Sequence, residues 1–326
     1  MENNLKIIMP GGTGQIGVIL TRHFLKSEHE IVILSRNPDR ENYLKDHPFS
    51  HPNVSVLPWD AKQVGDWSEE LEGSDVVINL AGRSVNCRYT PENRKMILDS
   101  RVESTRVIGR AIAECNHPPK VWLQSSTATI YAHRYDAPND EATGIIGGDK
   151  PNVDDTWRFS IDVAKAWEAA AEEFQSDTTR QVLLRSSMVM SPDKDGVFDV
   201  LRGLARKGLG GRNGDGKQFV SWIHADDFCG CIDHLISDDS LSGTVNVASP
   251  NPVANAEFMK SLRQTLGVKF GLPAAKWMLE IGAVFMKTET ELLLKSRRVV
   301  PGRLLAAGYK FQFPQWQTAC SDLANQ

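Results

Sequence analysis

Over the first half of the chain, short apolar runs alternate with longer amphipathic stretches. The runs Lys6–Met9, Glu30–Ser35, Val54–Leu57, Val76–Leu80, Val121–Ser125 and Gln181–Arg185 are rich in Ile, Val and Leu and read as strands. Between them, Gln15–Lys26, Pro91–Glu114 and Asp162–Phe174 repeat apolar residues at helical spacing. This alternation predicts an α/β fold, with a parallel sheet covered by helices on both faces. A later strand, Thr244–Ala248, is expected to rejoin the sheet. From Ala254 onward helical patterns dominate. One begins near Asn255, another near Ala274, and a third opens with Thr288-Glu289-Thr290-Glu291 at capping-box spacing. The loop Gly208–Gly216, with Arg206, Lys207, Arg212 and Lys217 about it, reads equally as a solvated turn or as a substrate clamp. Two lobes are expected: residues 1–190 with 222–250 returning to them, and residues 191–221 with 251–326. A ligand cleft belongs between the lobes, at the carboxyl ends of the strands.

The first strand runs straight into Pro10-Gly11-Gly12-Thr13-Gly14-Gln15-Ile16-Gly17, and Val18, Ile19, Leu20, Phe24 and Leu25 follow at helical spacing. Glycines let the backbone turn sharply and approach a ligand that a Cβ would exclude. The free N–H groups at the start of the next helix favour a pyrophosphate. A strand before and a helix after are the context that turns a glycine cluster into a dinucleotide site. Two registers fit: Gly12, Gly14 and Gly17 as G-x-G-x-x-G, or Gly11, Gly14 and Gly17 as G-x-x-G-x-x-G. NAD sites commonly put an acidic residue at the end of the second strand to bind ribose hydroxyls. Ser35-Arg36 stands there instead. A guanidinium pairs with a 2′-phosphate that a carboxylate would repel, so NADP(H) is expected over NAD(H). Asp60 ends the third strand, where a carboxylate accepts from an adenine amino group. Leu80, Ala81 and Gly82 follow Asn79 at the end of the fourth, where small residues let a cofactor backbone pass.

Composition narrows the classes further. A chain of 326 residues, 41% hydrophobic, can bury a substantial core and form more than one lobe. A net charge of −4 leaves no polycationic surface, so no nucleic-acid partner is expected. The five cysteines, Cys87, Cys115, Cys229, Cys231 and Cys320, are odd in number and lack C-x-x-C spacing. That argues against a disulfide framework or a zinc ribbon and suits a reducing compartment. Cys229 and Cys231 lie in the apolar segment Phe228–Ile236 and read as buried. The first strand leaves no room for a signal peptide. The longest apolar stretch, Trp277–Met286, contains Glu280 and is too short for a bilayer. A soluble, cytoplasmic protein with no membrane partner is the expectation. No Ser-His-Asp order, metal-ligand spacing or P-loop lysine stands out, so no metal is expected.

Further segments follow in order: Leu98-Asp99-Ser100-Arg101-Val102, Trp167-Glu168-Ala169-Ala170, Arg185-Ser186-Ser187-Met188-Val189, Trp222-Ile223-His224-Ala225-Asp226-Asp227, Asn255-Ala256-Glu257-Phe258 and Val300-Pro301-Gly302-Arg303-Leu304. Asn79-Leu80-Ala81-Gly82 looks like the N-x-A-G element of short-chain reductases, and the glycine loop fits their G-x-x-G-x-x-G register. With these motifs, nearly the whole chain resembles the extended short-chain dehydrogenase/reductase superfamily. Within it, the chain resembles the atypical epimerase family, which carries a small C-terminal domain of unknown function. The resemblance implies an NAD(P)-binding Rossmann fold, a doubly wound parallel sheet with a smaller, mainly helical C-terminal lobe. It implies an NADP(H) site made by Gly11, Thr13, Gly14, Gln15, Ile16 and Gly17 of the loop, by Ser35, Arg36 and Asp60, by Leu80, Ala81 and Gly82, and by Arg101, Ser125 and Val189. Without the family, Arg101 reads as a helix-surface cation.

Extended short-chain reductases carry a Tyr-x-x-x-Lys pair on a helix and a Ser or Thr after the fifth strand. The lysine lowers the tyrosine pKa so that the phenol serves as general acid or base. Ser125-Ser126-Thr127-Ala128-Thr129-Ile130-Tyr131 resembles the Ser/Thr element, with Thr127 at its catalytic position and Tyr131 where the superfamily has a tyrosine near the substrate. These two are the candidate catalytic residues. The helix departs from the pattern. With Glu168 in its usual place four residues after the lysine, Ala164 falls in the lysine slot and Ser160 in the tyrosine slot. Lys165 is one residue off, about 100° around the helix, and a one-residue shift would put Ile161 in the tyrosine slot. His224 with Asp226 or Asp227 is a further acid–base candidate, although an anchor between lobes explains them more simply. The expectation is an NADP(H)-dependent oxidoreductase or epimerase acting on an unknown small molecule without the usual dyad. The contrasting reading is a non-catalytic NADP(H)-binding redox sensor or regulator. A homodimer is common among short-chain reductases, but extended and atypical members vary.

Overall fold

Seven strands run in one direction, so every return crosses the sheet through a helix or a long segment. The computed structural model describes residues 4–38, 47–148, 153–275, 277–280 and 289–326. The sheet consists of β1 (Lys6–Pro10), β2 (Glu30–Ser35), β3 (Val54–Pro58), β4 (Val76–Asn79), β5 (Val121–Thr127), β6 (Arg180–Ser186) and β10 (Gly243–Val247). Their spatial order is β3-β2-β1-β4-β5-β6-β10, parallel throughout. The chain reverses direction across the sheet between β1 and β4, and such a switch point opens a crevice at the carboxyl ends.

The strands are nearly continuous apolar runs because both faces are covered. Alternate residues sort by face. Ile7, Ile31, Ile33 and Ile78 pack with Leu20 and Phe24 of α1 (Gln15–Phe24) and with Phe228 and Ile232 of α5 (Ala225–Ser237). Ile8, Val32, Val77 and Trp122 face Val107 and Ile108 of α2 (Pro91–Glu114) and Ala171 of α3 (Asp155–Glu172). Helix starts have local causes. Thr90 accepts from Asn93 N ahead of Pro91, and Asp154 accepts from Thr156 N.

A separate core joins α4 (Val197–Arg206), α6 (Asn255–Thr265) and the C-terminal helix. The short helices α7 (Glu291–Leu294) and α8 (Gly302–Ala306) precede that helix, α9 (Trp316–Asn325). Trp316 stacks on Phe258 at a centroid distance of 3.9 Å and donates its indole N–H to the Phe258 carbonyl. Two small pairings brace this region: β7 (Met188–Met190) with β9 (Trp222–His224), and β8 (Phe219–Val220) with β11 (Val253–Ala254).

The α/β sheet matches the strand reading closely, and α3 begins at Asp155 rather than Asp162. The Gly208–Gly216 loop is stitched to residues 272–274 by the Leu272-to-Gly208, Ala274-to-Arg212 and Gly214-to-Ala274 backbone bonds. It lines neither cavity described below. The helix expected near Ala274 falls partly outside the described residues, as does Thr288. The helix α7 starts instead at Glu291, with Thr290 as an N-cap that makes no side-chain bond. All five cysteines are free, and Cys229 and Cys231 are buried. Among the described residues no helix is long and apolar enough to cross a membrane, and no group of His, Cys, Asp and Glu is placed to hold a metal.

Candidate functional site

Three glycines of the loop carry three different constraints. Gly11 has φ +73°, and a Cβ there would stand 2.6 Å from the Ala81 Cα. At Gly17 a Cβ would stand 1.8 Å from the Gly12 carbonyl oxygen, so loop and helix touch only because the side chain is absent. Gly14 differs. Its backbone is extended, with φ −74°, and the nearest atom to an added Cβ is the Gly11 oxygen at 3.9 Å. Gly14 is also the N-cap of α1, with no side-chain cap and no acidic residue in the first turn. The first N–H groups of the helix are therefore left for an anion from outside.

A cleft of about 500 Å³ opens over this loop. It brings together Gly11, Thr13, Gly14, Ser35, Arg36, Asp60, Leu80, Ala81 and Gly82 from the predicted set. Ser35 Oγ accepts from Asn37 N, which fixes the start of the rim. Arg36 is exposed there and has no carboxylate partner among the described residues. Asp60 Oδ1 accepts from the backbone N–H groups of Gln63 and Lys62, and these bonds hold its carboxyl below the usual aspartate range. The remaining predicted residues lie off this wall. Gln15 donates to Ser191 Oγ at 3.1 Å, Ile16 packs on the main core, and Gly17 is enclosed by the loop. Ser125 lies in β5, and Val189 pairs with Ile223.

A second, inner cavity of about 180 Å³ lies at the ends of β5 and β6. Arg101 belongs to its wall. Its Nη1 donates to the carbonyls of Arg83 and Ile97, its guanidinium lies 5.0 Å from the Trp167 ring, and burial pulls its pKa down to about 10. Thr127 is also in this wall, with its hydroxyl accepting from Thr129 N. So are Tyr89 and Ser160; burial raises the Tyr89 phenol pKa above its ordinary value.

Tyr131, expected to face the reacting end, lies outside the wall. Its ring is buried, its hydroxyl donates to Asn246 Oδ1 at 2.9 Å and accepts from Arg185 at 3.0 Å, and burial raises its pKa. Arg185 in turn pairs with Glu168 through 2.8 and 2.7 Å bonds, and Ser126 donates to the same carboxylate. This network ties β5, β6 and α3 together beneath the cavity.

Ser160 and Ala164, counted into the tyrosine and lysine slots, both lie on α3. Ser160 faces the cavity, whereas Ala164 is fully buried against Ala128, Ile130 and Tyr131. Lys165 reaches toward Gly148 and lies outside both cavities. What sequence reasoning missed comes from 131 residues away: Ser160 donates to Glu291 Oε2 at 2.5 Å, and Arg297 lies beside it. Glu291 had registered only as a helix-start residue, so no signal pointed to a cavity. His224 and Asp227 serve as anchors. The imidazole stacks on Phe313 and accepts from Asp226 N, and the Asp227 carboxylate accepts from Gln312 N and Phe313 N.

Comparisons with known proteins agree with this geometry. Residues 7–248 match the NAD dependent epimerase/dehydratase family, and residues 274–323 match a domain of unknown function, DUF1731. The epimerase family protein SDR39U1 of Homo sapiens is 30% identical over 322 residues, 98% of this chain and 99% of that protein. The epimerase family protein YfhF of Bacillus subtilis is 28% identical over 319 residues, 98% of each. A crystal structure of the human protein (isoform 2) with NADPH superposes with a TM-score of 0.82 at 30% identity, covering 99% of this chain and 100% of that one. A nucleoside-diphosphate sugar epimerase from Corynebacterium glutamicum gives 0.74 at 25% identity, with 99% of this chain and 59% of that one covered.

Proposed function

The chain belongs to the NAD dependent epimerase/dehydratase family, and from that premise we propose that it is an NADP(H)-dependent oxidoreductase acting on a small molecule. The observation that carries this reading is the uncapped N-terminus of α1 at Gly14, opening into a cleft with Arg36 on its rim. The human relative's structure with NADPH supports the same cofactor here. When bound, NADP(H) supplies the hydride chemistry. The α1 N-terminus and the Gly11–Gly17 loop hold the diphosphate, Ser35 and Arg36 the 2′-phosphate, and Asp60 the adenine edge. Leu80, Ala81 and Gly82 allow close passage, and Arg101, Ser125 and Val189 stand toward the nicotinamide end. The sheet lobe, 1–190 with 222–250, carries the cofactor. The second lobe, 191–221 and 251–326, closes over the substrate.

Thr127 orients the substrate oxygen from the inner wall, and the Ser160 and Tyr89 hydroxyls beside it hold a proton. Tyr131 is left out of the reacting set, because Asn246 and Arg185 occupy its hydroxyl. One observation favours a second reading, a non-catalytic sensor of NADP(H): buried Ala164 leaves no ammonium in the lysine slot. The test is NADPH absorbance loss against aldehydes, ketones and quinones for wild type, Thr127→Val and Tyr131→Phe. The enzyme reading expects Thr127→Val to lower turnover about 10²–10⁴-fold, with a much smaller effect on NADPH affinity. Tight NADPH binding with no turnover across the panel favours the sensor.

A further inference from the structure

The inner cavity holds more positive charge than its own ion pairs require. Among the described residues, Arg101 and Arg297 line it with Glu291 as the carboxylate, and Lys295 stands against Glu291 outside the wall. Lys295 and Glu291 are 2% exposed and Arg297 is 7% exposed. Glu291 Oε1 lies 3.6 Å from Lys295 Nζ and 3.4 Å from Arg297 Nη2. Lys295 donates to the Thr129 carbonyl at 2.7 Å, and Arg297 Nε donates to the Thr129 hydroxyl at 3.2 Å. These bonds fasten the C-terminal segment to the turn after β5, which accounts for two of the cations. They do not account for Arg101, which comes from α2, makes no bond to that segment, and has no carboxylate partner among the described residues. The nearby Glu168 is already neutralised by Arg185. Burial, and then the neighbouring Arg297, lower the Lys295 ammonium to about 8, as crowded cations should. Desolvated charges are costly unless they are matched, so Arg101, with no carboxylate partner among the described residues, leaves a place for an anion in this wall.

We propose that this cavity binds a small organic anion, a carboxylate-bearing carbonyl compound, with its carboxylate toward Arg101 and Arg297 and its carbonyl toward Thr127 and Ser160. The assignment deepens the oxidoreductase reading and rests on it for the carbonyl. The anion site itself rests only on the charges. At about 180 Å³ the space has room for a small acid. The phosphates of the proposed cofactor have their own partners in the outer cleft.

The test is calorimetric titration of the full chain, alone and saturated with NADPH, with pyruvate and oxalate as probes and their neutral amides as controls. The acids should bind saturably, one per chain, and the amides about tenfold more weakly or less well still. Arg101→Met should weaken the acids about tenfold or more, while Glu291→Gln, which removes the carboxylate, should tighten them by a similar factor. Lys165→Ala removes a cation that lines neither cavity and should change acid affinity less than about twofold. Melting curves accompany each variant. If Glu291→Gln does not fold, Arg101→Met against Lys165→Ala still decides the matter. Equal binding of acid and amide, no binding of either, or no effect of Arg101→Met overturns the proposal. Acid binding without NADPH binding would keep the anion site and remove the oxidoreductase reading. NADPH binding without acid binding would do the reverse.

Discussion

Gly14 and Gly17 separate a glycine that makes room for a ligand from one that makes room for the fold. At Gly14 alanine is sterically allowed, since the backbone is extended and the nearest atom would be 3.9 Å away. Alanine is a poorer N-cap than glycine by up to about 1 kcal/mol, and the loss of glycine entropy in the unfolded chain returns about 0.4–1 kcal/mol. Gly14→Ala should therefore melt close to wild type. Its methyl group would occupy the space assigned to the cofactor diphosphate. Overpacking by a methyl costs about 1–3 kcal/mol, a Kd weakened roughly 5- to 150-fold. Gly17→Ala should behave oppositely. Its Cβ would stand 1.8 Å from the Gly12 oxygen, so the loop must move and the variant should lose at least about 1–3 kcal/mol of stability before any ligand is added. Thermal unfolding and NADPH calorimetry on both variants provide the assay. A Gly14→Ala protein that binds NADPH as tightly as wild type would refute the placement of the diphosphate.

Two further outcomes follow from side chains outside the cleft. Lys165→Ala should change NADPH affinity less than about twofold, because the ammonium points toward Gly148 and away from both cavities. A large loss in calorimetry would instead put that lysine on the cofactor. Burial holds His224 below its ordinary pKa, so the unfolded chain takes up this proton first as pH falls. Stability from this residue is full above about pH 6.5 and is lost as pH drops through the lower folded value. Urea unfolding of wild type against His224→Asn, which keeps an acceptor for Asp226 N, should show a flatter pH dependence in the variant. An unchanged slope would remove His224 from the account.

The sheet was legible because its strands are buried on both faces and so appear as runs such as Glu30–Ser35, whose bounds match the structure. Arg36 and the glycine loop were legible for a related reason: their positions are fixed by the strand ends on which they sit. Ser160 and Ala164 were placed by counting along one helix, where a residue's face follows from its number. The partners of Tyr131 were not legible, because position after β5 does not tell where a hydroxyl goes. Asn246 and Arg185 lie 115 and 54 residues away. Glu291 and Arg297 were invisible for the same reason, since a cavity wall built from distant segments leaves no local spacing to read. The second core around Trp316 and Phe258 was seen only as helical tendency, without the contact that joins them.

The central claim is a cleft built for NADP(H), with Arg36 reading the 2′-phosphate. Its most direct test is the calorimetric affinity of NADPH and of NADH for wild type and for Arg36→Ala. A charge-assisted bond to phosphate is worth about 1.5–3 kcal/mol, so NADPH should bind wild type roughly 10- to 150-fold more tightly than NADH. Most of that difference should vanish in Arg36→Ala, with NADH affinity little changed. Equal affinities of wild type for the two cofactors would contradict the account.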